Sequence, residues 1–124
     1  LDLRNAVLGE RWQAGTALFE VTAWRTPCAN FARFWEVPDL VKRFAAHGAT
    51  GAYLRVLETG GIGAGDPVEV VHRPDHGITV ETAFRITTTQ KSRLSELAPA
   101  LQYLPVKDQP KLRATIDARV VASA

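Results

Sequence analysis

Cys28 is the one cysteine in the chain and the side chain best equipped for chemistry of its own. As a thiolate it is both a nucleophile and a soft metal ligand, and neighbouring positive charge lowers the pKa that controls the thiolate population. Arg25 precedes it and Arg33 follows it closely, so either guanidinium can supply that charge if the chain folds back on the sulfur. On spacing alone, the default for a single cysteine is a small buried hydrophobe, and both readings stay open at this point. Thr26 and Asn30 flank Cys28 and can hydrogen-bond a ligand, although such residues after a strand ordinarily serve turns. His47, His72 and His76 lie far apart without metal-ligand spacing and read as solvent-facing or structural. Trp12, Trp24 and Trp35 read as core aromatics, with Trp24 the candidate exception that lines a pocket.

The elements around Cys28 follow from periodicity. Residues 16–24 alternate, with Ala17, Phe19, Val21 and Ala23 on one face and Glu20 and Thr22 on the other, which predicts a half-buried strand. Arg25-Thr26-Pro27-Cys28 ends it, because Pro27 has no N–H for a mid-sheet ladder. The cysteine is therefore placed just beyond a strand end. Gly9 and Gly15 bracket a shorter preceding piece. Val37, Leu40, Val41 and Phe44 have helical spacing, with Pro38 near the start and Gly48 as a stop, so a short amphipathic helix is expected over residues 37–47. Residues 52–58 and 67–73 read as two further strands. Gly60 to Asp66 joins them as a glycine-dense hairpin connection, since no Lys-Ser/Thr pair follows to make it a phosphate loop.

Strand signals stop at Arg73-Pro74-Asp75-His76-Gly77, and three helical patterns begin. Thr79 can cap a helix carrying Val80, Ala83 and Phe84. Ser92 can cap one carrying Leu94, Leu97, Leu101 and Leu104, bent at Pro99, and Asp108 one carrying Leu112, Ile116 and Val120. The fold class expected is mainly β with α: a β-rich lobe over residues 1–74 and a small three-helix domain over residues 75–124. So small a helical domain is expected to lean on the β lobe or on a second copy of the chain in a homodimer.

Composition narrows the function classes. The 124 residues are 46% hydrophobic and 23% charged, as in an ordinary globular protein. Net charge is +2, with eight Lys/Arg and eight Asp/Glu in residues 1–74 and seven and five in residues 75–124. Without a basic block interleaved with aromatics, a nucleic-acid partner is not expected. No apolar run reaches membrane-helix length and no signal-peptide pattern opens the chain, so no membrane partner is expected. One cysteine allows no internal disulfide, which fits a reducing cytoplasm. The sequence contains no methionine, which suggests a processed chain with a part missing in front.

Several motifs together resemble one family. Arg25-Thr26-Pro27-Cys28 resembles the arginine–x–proline–cysteine motif of MOSC domains, named for the C-terminal part of molybdenum cofactor sulfurases. Leu8-Gly9-Glu10-Arg11-Trp12 resembles the family's glycine–acid turn, with Glu10 where aspartate is usual. Gly15 to Thr22 resembles the strand leading to the cysteine. Gly51-Ala52-Tyr53-Leu54-Arg55-Val56, with Gly65-Asp66 beyond it, resembles the glycine–x–tyrosine–x–arginine–valine strand and its closing turn. From His76 onward the tail is similar to the three-helix domain of a bacterial MOSC branch associated with resistance to N-hydroxylated purines. The resemblance covers nearly the whole chain and implies a barrel-like lobe. The family's paired-histidine and glycine–glutamate–asparagine motifs are expected before Leu1, so the barrel is expected to be incomplete.

The resemblance also implies a function. The matching cysteine, Cys28, is the expected molybdenum ligand, or in another proposal a carrier of persulfide sulfur. The cofactor is then the molybdenum cofactor, molybdopterin, whose terminal phosphate needs cationic donors. Arg25 and Arg55 are the candidates, with Thr26 and Asn30 as further cofactor contacts. The implied activity is a molybdenum-dependent reductase acting on small N-hydroxylated substrates, fed by an electron-donor redox protein. Sulfur transfer, or a non-catalytic binding domain with an inert Cys28, are the alternatives.

Overall fold

The computed structural model describes residues 2–123. Leu1 and Ala124, the outer ends of the two expected segments, lie outside the described residues. The order of elements is β1 (Arg11–Ala14), β2 (Ala17–Trp24), α1 (Ala29–Trp35), α2 (Leu40–His47), β3 (Ala52–Glu58), β4 (Val68–His72), α3 (Val80–Thr88), a 3-10 helix (Lys91–Tyr103) and α4 (Gln109–Ser123).

The strands form one antiparallel sheet in the order β3-β2-β1-β4. Among the described residues it is an open sheet with helices around it, a mixed α/β arrangement and not a closed barrel. β1 and β2 are a hairpin turned at Gly15-Thr16, where Gly15 takes φ +56. A Cβ there would lie 2.1 Å from the Gly61 carbonyl oxygen, so glycine is required twice over. This contact also corrects the expected hairpin between β3 and β4. Those strands are opposite edges of the sheet, and the Gly60–Asp66 connection crosses the β1–β2 turn, held by Thr16 N–H to Gly61 O at 3.1 Å and Gly61 N–H to Thr16 Oγ1 at 2.8 Å.

β2 is a central strand, and its supposed polar face is covered. Glu20 and Thr22 are both buried. Glu20 pairs with Arg11 at 3.2 Å and Arg55 at 3.4 Å, and the Thr22 hydroxyl donates to the Tyr103 carbonyl at 2.6 Å. The tail therefore lies against polar groups that a half-buried strand would leave to water.

One apolar cluster joins Ala6, Leu8, Trp12 and Val21 to Ile78, Val80, Ala83, Ile86 and the tail residues Leu94, Leu97, Ala100, Leu101, Leu104 and Ile116. Thr79 caps α3 as expected, its hydroxyl accepting from Thr82 N–H at 3.1 Å. Ser92 is not a cap. The segment is a 3-10 helix from Lys91, with Gln90 before it and Pro99 inside. Three residues per turn align Leu94, Leu97 and Ala100 on one buried line, which is how a proline-containing stretch still packs.

α2 starts at Leu40, after the residues first assigned to it, and ends at Gly48 with φ +79. Arg85 and Arg4 donate to the free carbonyls of Ala46 and His47 at its C-terminus, which pins α2 against α3.

Candidate functional site

Cys28 occupies the N-cap position of α1, directly after β2, with extended backbone at φ −132 and ψ 174. It is exposed, which excludes the buried-hydrophobe reading. α1 was not anticipated from sequence. It matters here because its first turn aims the amides of Phe31 and Asn30 toward the sulfur. These amides, ahead of the charges of Arg25 and Arg33, hold the thiol below the ordinary cysteine range. Neither amide closes a full capping bond to the side chain.

Arg25 extends from the end of β2 and is fixed by its neighbours. Its backbone N–H donates to Gly51 O at 2.8 Å, and its guanidinium donates to Tyr53 Oη at 2.7 Å while lying 5.8 Å from that ring's centroid. Thr50 Oγ1 bonds the Arg25 carbonyl. Thr26 and Pro27 follow on the surface, and Asn30 accepts from the Arg33 guanidinium. Arg25, Thr26, Pro27 and Cys28 line a depression of about 100 Å³, floored by Phe31 and Phe44.

Thr26 also lines a larger groove. This cavity, about 780 Å³, lies between the ends of β2 and β3 and the tail, and falls within the usual size range of ligand sites. Its walls include Trp24 and Tyr53 from the sheet, Thr87 and Thr88 from α3, and Lys107, Asp108 and Lys111 around the start of α4. Trp24 is thus the pocket-lining tryptophan, whereas Trp12 is core and Trp35 is exposed. Lys107, Lys111 and the two threonines were missed by sequence reasoning. Nothing local marks them, because the groove exists only once the tail is folded onto the sheet.

Four candidates therefore gather at the end of β2: Cys28, Arg25, Thr26 and Asn30. Arg55 stands apart. Its guanidinium reaches Glu20, Thr22 Oγ1 at 3.1 Å and the carbonyls of Tyr103 and Leu104 at 3.3 Å each, binding the sheet to the tail. The histidines are structural or peripheral. His76 spans Leu8 O at 2.7 Å and Ile78 N–H at 2.9 Å. No group of three His, Cys, Asp or Glu among the described residues is arranged to hold a metal ion by itself. The donor set, one soft exposed thiol beside a guanidinium and a roomy groove, suits a metal that arrives with other ligands already attached.

The exposed cysteine thus lies just beyond the end of β2 on a sheet-and-helix frame, in a depression that shares Thr26 with the larger groove. The chain belongs to the MOSC domain family, whose model matches residues 1–69. It is 31% identical over 97 residues to the uncharacterized protein YflK of Bacillus subtilis (strain 168), covering 78% of this chain and 44% of that one. It is 30% identical over 131 aligned positions to a Gibberella moniliformis (strain M3125 / FGSC 7600) protein named "Reductase", covering 95% of this chain and 23% of that one. The crystal structure of YiiM from Geobacillus stearothermophilus matches with a TM-score of 0.77 at 28% identity, over 96% of this chain and 60% of that one. The chain thus spans less than two thirds of each of these relatives. The family is associated with molybdenum cofactor binding. Among the described residues no helix is long and apolar enough to cross a membrane.

Proposed function

We propose that this chain is the cysteine-bearing part of a molybdenum-cofactor reductase, with Cys28 as the protein's ligand to the metal. The observation that carries this reading is the placement of Cys28: exposed, at a strand end, with its thiol shifted toward thiolate by the Phe31 and Asn30 amides and then by Arg25 and Arg33. A soft thiolate suits a thiophilic metal. Arg25 and Thr26 lie where the cofactor's polar groups can be held, and Asn30 orients Arg33 beside the sulfur. Arg55 acts one step back by holding the tail that forms the groove's far wall.

When bound, the cofactor supplies a two-electron redox centre. Reduction of an N-hydroxylated substrate consumes two electrons and two protons, breaks the N–O bond, and yields the amine and water. The electrons come from a separate electron-donor redox protein. This chain's own residues bind and orient. The likeness to a protein named "Reductase" supports the redox class, and the substrate remains part of the proposal.

The test is molybdenum bound per chain after expression in a host that makes the cofactor, for wild type and Cys28→Ser. Metal that follows Cys28 is expected, and equal metal in both proteins would refute the ligand role. The exposure of the thiol also favours a second reading, sulfur transfer through a Cys28 persulfide. In that case cyanide releases thiocyanate from wild type and not from Cys28→Ser, and the protein carries no molybdenum.

A further inference from the structure

The helix pair beyond Cys28 carries an apolar surface that the core does not use. α1 starts beside the thiol, and at its far end Phe34 and Trp35 are 79% and 60% exposed, their rings edge to face at 5.4 Å. Beside them Phe31, Trp35, Val37 and Leu40 line an open hollow of about 280 Å³ without a polar side chain. Phe31 also floors the depression that holds Cys28, so one ring joins this hollow to the thiol's surroundings. Large aromatics grouped in water forgo the free energy of burial, and such groups mark contact surfaces. The seven residues of α1 rise only about 10 Å, so whatever covers the patch also stands beside the sulfur.

Charge says what covers it. Residues 25–47 hold Arg25, Arg33, Lys42 and Arg43 against Glu36 and Asp39. That excess of two equals the net charge of the whole chain, so the remaining sequence is balanced. All four cations are exposed, and none has an ion-pair partner among the described residues. Arg43 follows Leu40 by three residues, which puts it on the hollow's side of α2. Like charge around an apolar patch repels a second copy of the chain and attracts an acidic surface.

We propose that this aromatic patch, with its basic rim, is where an acidic electron-donor protein docks on the chain. The proposal rests on the reductase reading, which requires such a donor, and names the surface the donor meets. Phe34 and Trp35 anchor the contact, while Arg33, Lys42 and Arg43 steer it. A patch of this kind suits the small, transient encounters of redox proteins, which must part after each transfer. No chemical step is added. The two electrons already counted cross from the docked donor toward Cys28, and the donor leaves oxidised.

Calorimetric titration of the chain with flavodoxin and with a plant-type ferredoxin, two small acidic redox proteins, tests the surface, with basic cytochrome c as control. At least one acidic protein is expected to bind about tenfold or more tightly than cytochrome c, and to weaken about tenfold between roughly 0.05 and 0.5 M salt. Phe34→Ser with Trp35→Ser should weaken docking about tenfold or more, and Lys42→Glu with Arg43→Glu should do the same. Both pairs are exposed, so the unfolding midpoint should stay near wild type. Absence of binding by either acidic protein, equal binding by cytochrome c, or variants that dock like wild type would overturn the proposal. A dimer in sedimentation that Phe34→Ser with Trp35→Ser splits would give the patch to a second copy and overturn it. Binding to phosphatidylserine vesicles in place of the donors would give it to a membrane, with the same result. Docking that persists when molybdenum does not follow Cys28 would keep the surface and sink the reductase reading. Molybdenum that follows Cys28 without any docking would sink this proposal alone.

Discussion

Replacing Arg55 by alanine separates a structural clamp from a ligand contact. Its guanidinium touches Glu20 Oε1 at 3.4 Å, Thr22 Oγ1 at 3.1 Å, and the carbonyls of Tyr103 and Leu104 at 3.3 Å each. Removing these contacts leaves few acceptors unsatisfied. Glu20 keeps Arg11 at 3.2 Å, Tyr103 O keeps the Thr22 hydroxyl at 2.6 Å, and Leu104 O keeps the Gln109 amide at 2.8 Å. The bonds are long and the arginine side chain is 38% exposed, so each sits at the weak end of its range. Together they stabilise by about 1–2 kcal/mol, well below the roughly 3–5 kcal/mol expected where a buried charge is orphaned. For a chain of this length, 1 kcal/mol moves the unfolding midpoint by about 4 °C, so Arg55→Ala should fall by roughly 4–8 °C. Arg55→Lys should recover only part of that, because an ammonium cannot span the same acceptors as a planar fork. Thermal unfolding and molybdenum content, measured on the same samples, check the reasoning. An unchanged midpoint with lost molybdenum would refute the clamp and return Arg55 to the cofactor.

Three further outcomes follow from named contacts. Burial pushes the Glu10 carboxyl up, but bonds from Val7 N–H at 3.0 Å, Trp12 Nε1 at 2.8 Å and Arg73 at 3.1 Å more than offset this and hold it below the ordinary value. A lowered carboxyl stabilises above its ordinary pKa and loses that contribution as pH falls through the folded value. Glu10→Gln should therefore cost about 2–4 kcal/mol at neutral pH, with the gap to wild type closing in acid; a gap independent of pH in urea titrations would contradict it. Thr79→Ala should cost about 1 kcal/mol through the lost cap of α3 while Thr79→Ser stays near wild type, and equal losses would argue against the hydroxyl. Cys28 should alkylate at neutral pH faster than an unstructured thiol. Removing Arg25 and Arg33 together should slow it by less than about tenfold, because the helix amides act first; a slower rate than a free thiol's would reverse that order.

The parts of the fold that were legible from sequence are those whose signal is local. The strand over residues 52–58 lies where its pattern put it and Thr79 caps α3, while the leucines at 94, 97, 101 and 104 are buried but on a 3-10 helix from Lys91 that ends before Leu104. α1 was missed because its N-cap is a cysteine with no capping bond, and it closes at Glu36 in a left-handed conformation that glycine more often takes. The crossing of Gly60–Asp66 was missed for a different reason. A glycine-dense segment specifies flexibility, and which strands it joins side by side is decided by the carbonyl of Gly61 docking on Thr16. Glu20 and Thr22 read as solvent-facing because alternation reports only that two faces differ. It does not report that an arginine on the next strand and a carbonyl far along the chain will cover the polar one.

The same distinction divides the candidate site. Cys28, Arg25 and Thr26 are contiguous, so one motif carried them all. The partners that give them chemical meaning are remote: Tyr53 fixes the Arg25 guanidinium, and Lys107 and Lys111 form the far wall of the groove that Thr26 enters. A short motif can name a thiol and its nearest cation, because both are positioned by one strand end. The groove's walls are brought together by the tail, and Arg55 is one of the residues that join them, with Thr22, bonding Leu104 O in the groove's own wall. It follows that loosening the Arg55 contacts should lower the unfolding midpoint while leaving the thiol's reactivity unchanged, since the groups that lower the Cys28 thiol are Phe31, Asn30, Arg25 and Arg33 and not Arg55. Alkylation rate and unfolding midpoint measured side by side on Arg55→Ala are expected to part in this way, and a parallel loss of both would mean that the sheet end and the groove are one coupled unit.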